Sequence, residues 1–161
     1  MKIRKMVFFL VASVAFAACS SIDCPFNAKV EMKYRLVGDV TTLTDTLSVY
    51  ALLSSDLDTV YLNRAVDVDS FYLPVSYVRP ADVLLFRFTD ADGNVTFDTV
   101  TIEKENIPHF EAVDCHPAYF HNITGASTTT NRIESIEIAN PKVTYDLQNP
   151  NIYLRLKAAA D

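Results

Sequence analysis

Apolar and polar residues alternate along most of the chain, and this pattern with period two is typical of half-buried β-strands. In Lys29–Leu36 apolar residues occupy every second position, and lysine, glutamate or arginine fills the positions between them. Asp45–Leu52 repeats the alternation, whereas Val83–Phe88 begins apolar on both faces, as strands in the middle of a sheet do. Shorter patterns predict further strands at Val60–Leu62, Phe71–Val75, Val95–Ile102, Phe110–Val113, Tyr119–Ile123, Ile133–Ile138, Val143–Leu147 and Ile152–Leu156.

These strand patterns recur at intervals of about ten residues, with proline, asparagine and aspartate between them. Beyond residue 18 no stretch holds apolar residues at helical spacing over three turns. Gly125–Thr130 is small and polar and is predicted to be a loop. We therefore expect an all-β fold, an antiparallel β-sandwich of immunoglobulin-like or similar type, with an open β-barrel as the alternative.

The N-terminus departs from this pattern, because three basic residues precede the thirteen-residue apolar run Met6–Ala18. That run is too short to cross a bilayer as a helix and is typical of an export signal. Ala17 and Ala18 stand directly before Cys19, which resembles the lipobox of bacterial lipoproteins. In that family the leader is cleaved before the cysteine, and the cysteine sulfur receives a diacylglycerol.

The predicted domain organisation follows from that resemblance. We expect a lipoprotein signal peptide over residues 1–18, a lipidated Cys19 with a short tether over residues 19–25, and a single β-rich domain over residues 26–161. One alternative is an ordinary secretory signal that leaves Cys19 as a spare thiol. Another is an uncleaved anchor, which the shortness of the apolar run disfavours.

Composition narrows the classes of partner. Without the three basic residues of the leader, 11 basic face 20 acidic side chains, a formal charge of −9. An acidic chain without a basic block argues against nucleic acid, and three glycines in the whole chain argue against a Gly-rich phosphate loop. We expect no cofactor, contact with a membrane through the lipid anchor, and an envelope protein or a glycan as partner.

The chain has three cysteines, and lipidation of Cys19 would leave Cys24 and Cys115. Because exported proteins fold in an oxidising compartment, we predict a disulfide between these two. The alternative is a pair of unpaired cysteines.

Candidate chemistry is sparse. Asp90–Asn94 resembles the start of a calcium loop, but the twelfth position, where such loops carry a bidentate glutamate, is Thr101. Asp-Gly between two apolar runs instead favours a tight hairpin turn. Asp67 and Asp69 are expected on one side of a strand. Glycosidases need two carboxylates close together in space, but a chain with this many acidic residues produces such pairs by chance.

The histidines are His109, His116 and His121. On a strand His116 and His121 would face opposite ways, and their spacing is unusual for zinc. We therefore expect structural or surface histidines, no metal site and no catalytic residue.

Three threonines, Thr46, Thr59 and Thr99, each follow an aspartate and precede an aliphatic residue. This resembles the O-glycosylation sequon of exported proteins in Bacteroidota. The alternative is structural, since aspartate commonly ends a turn and threonine followed by valine or leucine begins a strand.

The chain as a whole resembles a family of small Bacteroidota lipoproteins catalogued as a domain of unknown function. The sequence motifs that carry this resemblance are Cys24–Asn27, Asp45–Val49, Phe71–Val75, Cys115, Thr130–Ile133 with Ile136, and Asn151–Leu154. The resemblance implies a β-rich lipoprotein of the outer membrane, facing the periplasm or the cell surface, and it carries no known activity. Tyrosines such as Tyr50 and Tyr153, opposite the apolar faces of their strands, are candidates for a contact surface or for cover by a second sheet.

We therefore expect a non-catalytic binding or scaffolding module of the cell envelope. The alternative is a small envelope hydrolase or carbohydrate-active accessory protein, which would need acid and base groups converging in a pocket.

Overall fold

Two β-sheets face each other in the computed structural model, which describes residues 30–52, 59–113 and 115–158. The predicted signal peptide, the tether, Cys19 and Cys24 lie outside these residues. The strands are β1 (Glu31–Val37), β2 (Thr46–Ala51), β3 (Thr59–Ala65), β4 (Ser70–Pro74), β5 (Ala81–Thr89), β6 (Val95–His109), β7 (Ala118–Thr128), β8 (Ile133–Ile138), β9 (Lys142–Val143) and β10 (Ile152–Leu156).

The first sheet has the strand order β4-β1-β10-β8, and the second has the order β3-β2-β5-β6-β7-β9. The predicted all-β sandwich is confirmed. One pairing departs from the antiparallel prediction, because β1 and β10 run parallel, with Tyr34 opposite Ile152. These two strands come from opposite ends of the domain, so no hairpin connection forces them to run antiparallel.

The alternating residues of both sheets fill the space between them. Tyr34 of β1 is 1% exposed and stacks on Phe71 of β4 with ring centroids 5.3 Å apart. Phe86 of β5 approaches both rings from the opposite sheet at 6.1 Å. Burial raises the pKa of the Tyr34 hydroxyl above its usual range, so this phenol stays neutral inside the core.

Several predicted element bounds were wrong. β6 continues from Val95 to His109 as one strand, and Phe110–Val113 lies beyond its end. Gly125–Thr128 belongs to β7, where it pairs with Val100–Glu103, so most of the predicted loop is strand. Small and polar residues such as these form a strand because a neighbouring strand satisfies the hydrogen bonds of their backbone groups. The alternation of apolar and polar side chains does not show that pairing.

Two further predictions concern aspartates. The Asp90–Asn94 turn is confirmed, since Asp90 Oδ1 accepts hydrogen bonds from the backbone N–H groups of Asp92 at 3.0 Å and Asn94 at 2.8 Å. Hydrogen bonding, first from the Asn94 side chain, lowers the pKa of Asp90. Asp67 and Asp69 do not share a strand; both precede β4, and Asp67 adopts a left-handed backbone with φ of 53°.

The long β6–β7 hairpin shapes one end of the molecule. β5 begins at Ala81, opposite Glu103, so Lys104–His109 of β6 extends past it. The loop of residues 75–80, which joins β4 to β5, lies at this same end. We call it the hairpin end.

Candidate functional site

A cleft of about 440 Å³ opens at the hairpin end. Val30 and the 75–80 loop contribute one side, and the segment that leads into β7, with the start of that strand, contributes the other. Its lining residues are Val30, Val75, Tyr77, His116, Pro117, Ala118, Tyr119 and His121. The Tyr77 and Tyr119 rings of this lining stack on each other, with centroids 5.1 Å apart and planes 20° from parallel. We call it the tyrosine cleft.

Asn106 holds the backbone that carries Tyr77. Its Nδ2 donates hydrogen bonds to the carbonyl oxygens of Tyr77 and Arg79, each at 3.0 Å. Its Oδ1 accepts from Nδ1 of His121, its cross-strand partner, at 2.8 Å. Because both amide hydrogens are taken by carbonyls, the amide orientation is set, and His121 must carry its proton on Nδ1.

His121 is a buried, neutral imidazole. Its residue is 3% exposed, and desolvation, helped by the positive charge of Lys104, lowers its pKa to about 4. With Nδ1 bonded to Asn106, the remaining nitrogen Nε2 is an acceptor at neutral pH. The imidazole at the edge of the cleft is therefore neutral, with its one proton held by Asn106 and Nε2 as an acceptor.

An ion pair lies beneath the loop. Lys104 Nζ stands 3.3 Å from Asp82 Oδ2 and donates to the Arg79 carbonyl oxygen at 2.7 Å. The Lys104 side chain is fully buried and that of Asp82 is 6% exposed. Burial lowers the pKa of Lys104, although the charge of Asp82 opposes that shift. Ser76 N also donates to Asp82 Oδ2 at 3.2 Å, so the pair holds the loop at Ser76 as well as at the Arg79 carbonyl.

The histidine prediction needs correction. His116 lies in the segment before β7 and not on a strand, so the expected opposite facing does not apply. His116 and His121 line the same cleft. His109 is on the other side of the hairpin, where its ring stacks on Phe120 at 4.2 Å. Its Nε2 is 3.2 Å from Glu111 Oε1, and both side chains are well exposed, so this His–carboxylate pair lies outside the cleft.

The three sequon threonines differ in access. Thr59 is exposed at the start of β3, which is an edge strand. Thr46 and Thr99 are half-buried in β2 and β6, each of which has a strand on both sides. Glycosylation at any of them stays a prediction, and Thr59 is the most accessible of the three.

Cys115 is 8% exposed and is disulfide-bonded. It follows the hairpin end in sequence, and its N–H donates to the Ala112 carbonyl oxygen at 3.2 Å. Since Cys24 lies outside the described residues, its pairing with Cys115 stays a prediction.

Sequence reasoning did not find Tyr77, Tyr119 or Asn106. It singled out Tyr50 and Tyr153, which are half-buried opposite the core faces of their strands. Tyr77 lies in a loop, where no period assigns a face, and the role of Asn106 depends on carbonyls 27 and 29 positions away. Lys104 did leave a signal, because it falls in period two with the apolar Val100 and Ile102.

The described residues contain neither a cluster of metal ligands nor a membrane-spanning helix. Among them no three or more His, Cys, Asp or Glu side chains are grouped so as to hold a metal ion. In the same part of the chain there is no helix with the length and apolar character to span a membrane.

Comparison with known proteins gives one match. A family model described as a family of unknown function, DUF6452, matches residues 46–156. No curated protein and no solved structure matches the chain.

Proposed function

The chain belongs to the family of unknown function DUF6452, and from its own residues we propose that it is a lipid-anchored module of the cell envelope that binds a partner without catalysis. The observation that carries the proposal is the tyrosine cleft, with an exposed aromatic ring on a fixed loop. Cys19 is the proposed anchor, and the outer membrane, on its periplasmic or its outer face, is the proposed location.

Fixation of the loop supports a binding role. Tyr77 is 60% exposed, yet its carbonyl and that of Arg79 are bound by Asn106, and Lys104 binds the Arg79 carbonyl as well. A ring that is ordered before its partner arrives loses little conformational entropy on binding. Tyrosine also gives a large contact area together with a polar hydroxyl, which suits a protein segment or a glycan.

The state of His121 and of the ion pair beneath the loop favours binding over hydrolysis. A hydrolase needs a group that exchanges protons near the working pH, usually beside a second such group. His121 is bonded to an amide, and its pKa of about 4 makes it a poor proton carrier at neutral pH. Asp82 and Lys104 face each other beneath the loop, where their opposite charges are compensated.

Replacing Cys19 by alanine is expected to abolish incorporation of labelled palmitate and to release the protein from the membrane fraction. The physical reason is that acyl chains on this sulfur, and on the amine freed by cleavage, supply the membrane affinity. The measurement is metabolic labelling followed by fractionation, with Ser20→Ala as a control that keeps the label. A Cys19→Ala protein that is still labelled would show that the lipobox interpretation is wrong.

Photo-crosslinking tests the cleft. With p-benzoylphenylalanine in place of Tyr77, irradiation of intact cells is expected to give a discrete adduct, because this position faces the proposed partner. Tyr72 on β4 is the matched control, since it is also an exposed tyrosine, at 38%, but lies outside the cleft. An adduct from position 77 alone supports the proposal, and mass spectrometry then identifies the partner. Equal yields from both positions, or none from position 77, would contradict it.

A further inference from the structure

Large apolar side chains are exposed around the hairpin end. Val78 is 74% exposed, Ile107 47%, Phe110 62% and Val113 99%. With Tyr77, they make up half of the ten large hydrophobic residues that are exposed in the described parts of the chain. Single exposed apolar residues are ordinary, but their concentration at one end is a sign of an interaction surface. We call Val78, Ile107, Phe110 and Val113 the apolar tip.

The chain enters the described structure at this same end. Val30, the first described residue, lines the tyrosine cleft, and β1 runs from it toward the opposite end of the sandwich. Ten residues lie between Cys19 and Val30, and an extended chain over these eleven Cα-to-Cα steps spans at most roughly 40 Å. Cys115, which is disulfide-bonded, follows the tip by two residues. The proposed anchor is therefore attached beside the apolar tip.

We propose that the apolar tip docks on the lipid bilayer that holds the anchor, with Phe110 and Val113 entering its interface. This inference rests on the proposed lipid anchor. Phenylalanine and valine gain free energy when they leave water for the boundary between headgroups and acyl chains. The tip does not rely on charge, because the −9 net charge gives no attraction to anionic lipid. The contact between the tip and the bilayer is weak by itself. It is nevertheless populated, because the tether gives the tip a high effective concentration at the membrane surface.

Docking fixes the orientation of the domain. The hairpin end then faces the membrane, and the tyrosine cleft opens near the level of the lipid headgroups. A ligand of the cleft would accordingly be met at the membrane surface.

The absence of tryptophan from the chain makes a clean reporter possible. The Phe110→Trp variant of the mature lipidated protein is reconstituted in phosphatidylcholine vesicles whose acyl chains are brominated. Phe97→Trp is the matched control, since Phe97 is 45% exposed but lies near the β5–β6 turn, away from the hairpin end. Bromine quenches indole fluorescence at short range, so the Phe110→Trp variant is expected to lose at least half of its emission and the control less than a tenth.

A second substitution tests the chemistry of docking. Val113→Glu places a charge on a side chain that is 99% exposed, so the fold is not disturbed. Combined with Phe110→Trp, it is expected to restore at least half of the lost emission. Unchanged quenching in this double variant would contradict docking through the tip.

Vesicle flotation separates the two proposals. A protein that floats while neither tryptophan variant is quenched, or while both are quenched equally, retains the anchor and overturns docking. If the protein does not float, the anchor proposal is wrong. Docking is then measured with a chain in which a hexahistidine tag replaces residues 1–19 and binds nickel-chelating lipid. This replacement keeps both sheets, which lie within residues 30–158. Absence of quenching on this artificial tether also overturns docking.

Discussion

Replacing Asp98 by asparagine is expected to lower the free energy of unfolding by about 3 to 5 kcal/mol. Asp98 is 1% exposed and accepts four hydrogen bonds from the segment that leads out of β7 and from the first residue of β8. Its Oδ1 accepts from the Thr129 hydroxyl at 2.8 Å and from Asn131 N at 2.7 Å. Its Oδ2 accepts from Arg132 N at 2.7 Å and Ile133 N at 2.8 Å.

Asparagine has nearly the same shape but puts an NH₂ group where one carboxylate oxygen stood. That group would face either the Thr129 hydroxyl and Asn131 N–H or the N–H groups of Arg132 and Ile133. In both orientations at least one backbone N–H would lose its acceptor in a site that excludes water. The neighbouring Asp45–Arg132 ion pair, with Arg132 Nε donating to Asp45 Oδ2 at 2.7 Å, depends on the same segment. The loss should therefore exceed that of a single neutral hydrogen bond.

Urea unfolding measures the effect, with Asp39→Asn as the control. Asp39 is exposed, so the same chemical change there is expected to alter the free energy of unfolding by less than about 0.5 kcal/mol. If Asp98→Asn costs no more than the control, the carboxylate does not hold the β7–β8 segment as described.

Much of the sandwich is predictable from sequence because burial on one face is a local property of a strand. Ile133–Ile138 and Ile152–Leu156 were predicted with their observed bounds. The extension of β6 to His109 was missed, since Glu103–Asn106 is polar and becomes strand only through pairing with β7. Gly125–Thr128 is likewise a strand only because it pairs with β6. A pairing between residues so far apart in the chain leaves no trace in the local alternation of apolar and polar residues.

The site was less predictable than the fold. Lys104 stands on the buried face of β6 by simple alternation, so a charged residue in the core could have been read from the sequence. Its partner Asp82 could not, because two residues 22 positions apart become neighbours only when β5 and β6 pair in register. The hydrogen bonds of Asn106 to the 75–80 loop and the stacking of Tyr77 on Tyr119 likewise depend on the path of that loop, which the sequence pattern does not predict.

Replacing Lys104 by methionine is expected to lower the free energy of unfolding at neutral pH by about 3 to 5 kcal/mol. Methionine fills similar space but leaves the Asp82 carboxylate buried without its ion partner at 3.3 Å. Arg79 would compensate only in part, since its Nη2 lies 4.0 Å from Asp82 Oδ1, which accepts no hydrogen bond from the described residues. Lys142→Met, at an exposed position of β9, is the control and is expected to change stability little.

The double variant Lys104→Met with Asp82→Asn separates the ion pair from mere packing. A buried charge that has lost its nearest partner is what makes the single substitution costly, so removing that charge as well should recover about 2 kcal/mol of the loss. Recovery will stay partial, because the Arg79 carbonyl also loses the hydrogen bond donated by Lys104 Nζ. Additive losses in the double variant would mean that the two side chains do not interact, and the ion pair would then have no part in holding the loop that carries Tyr77.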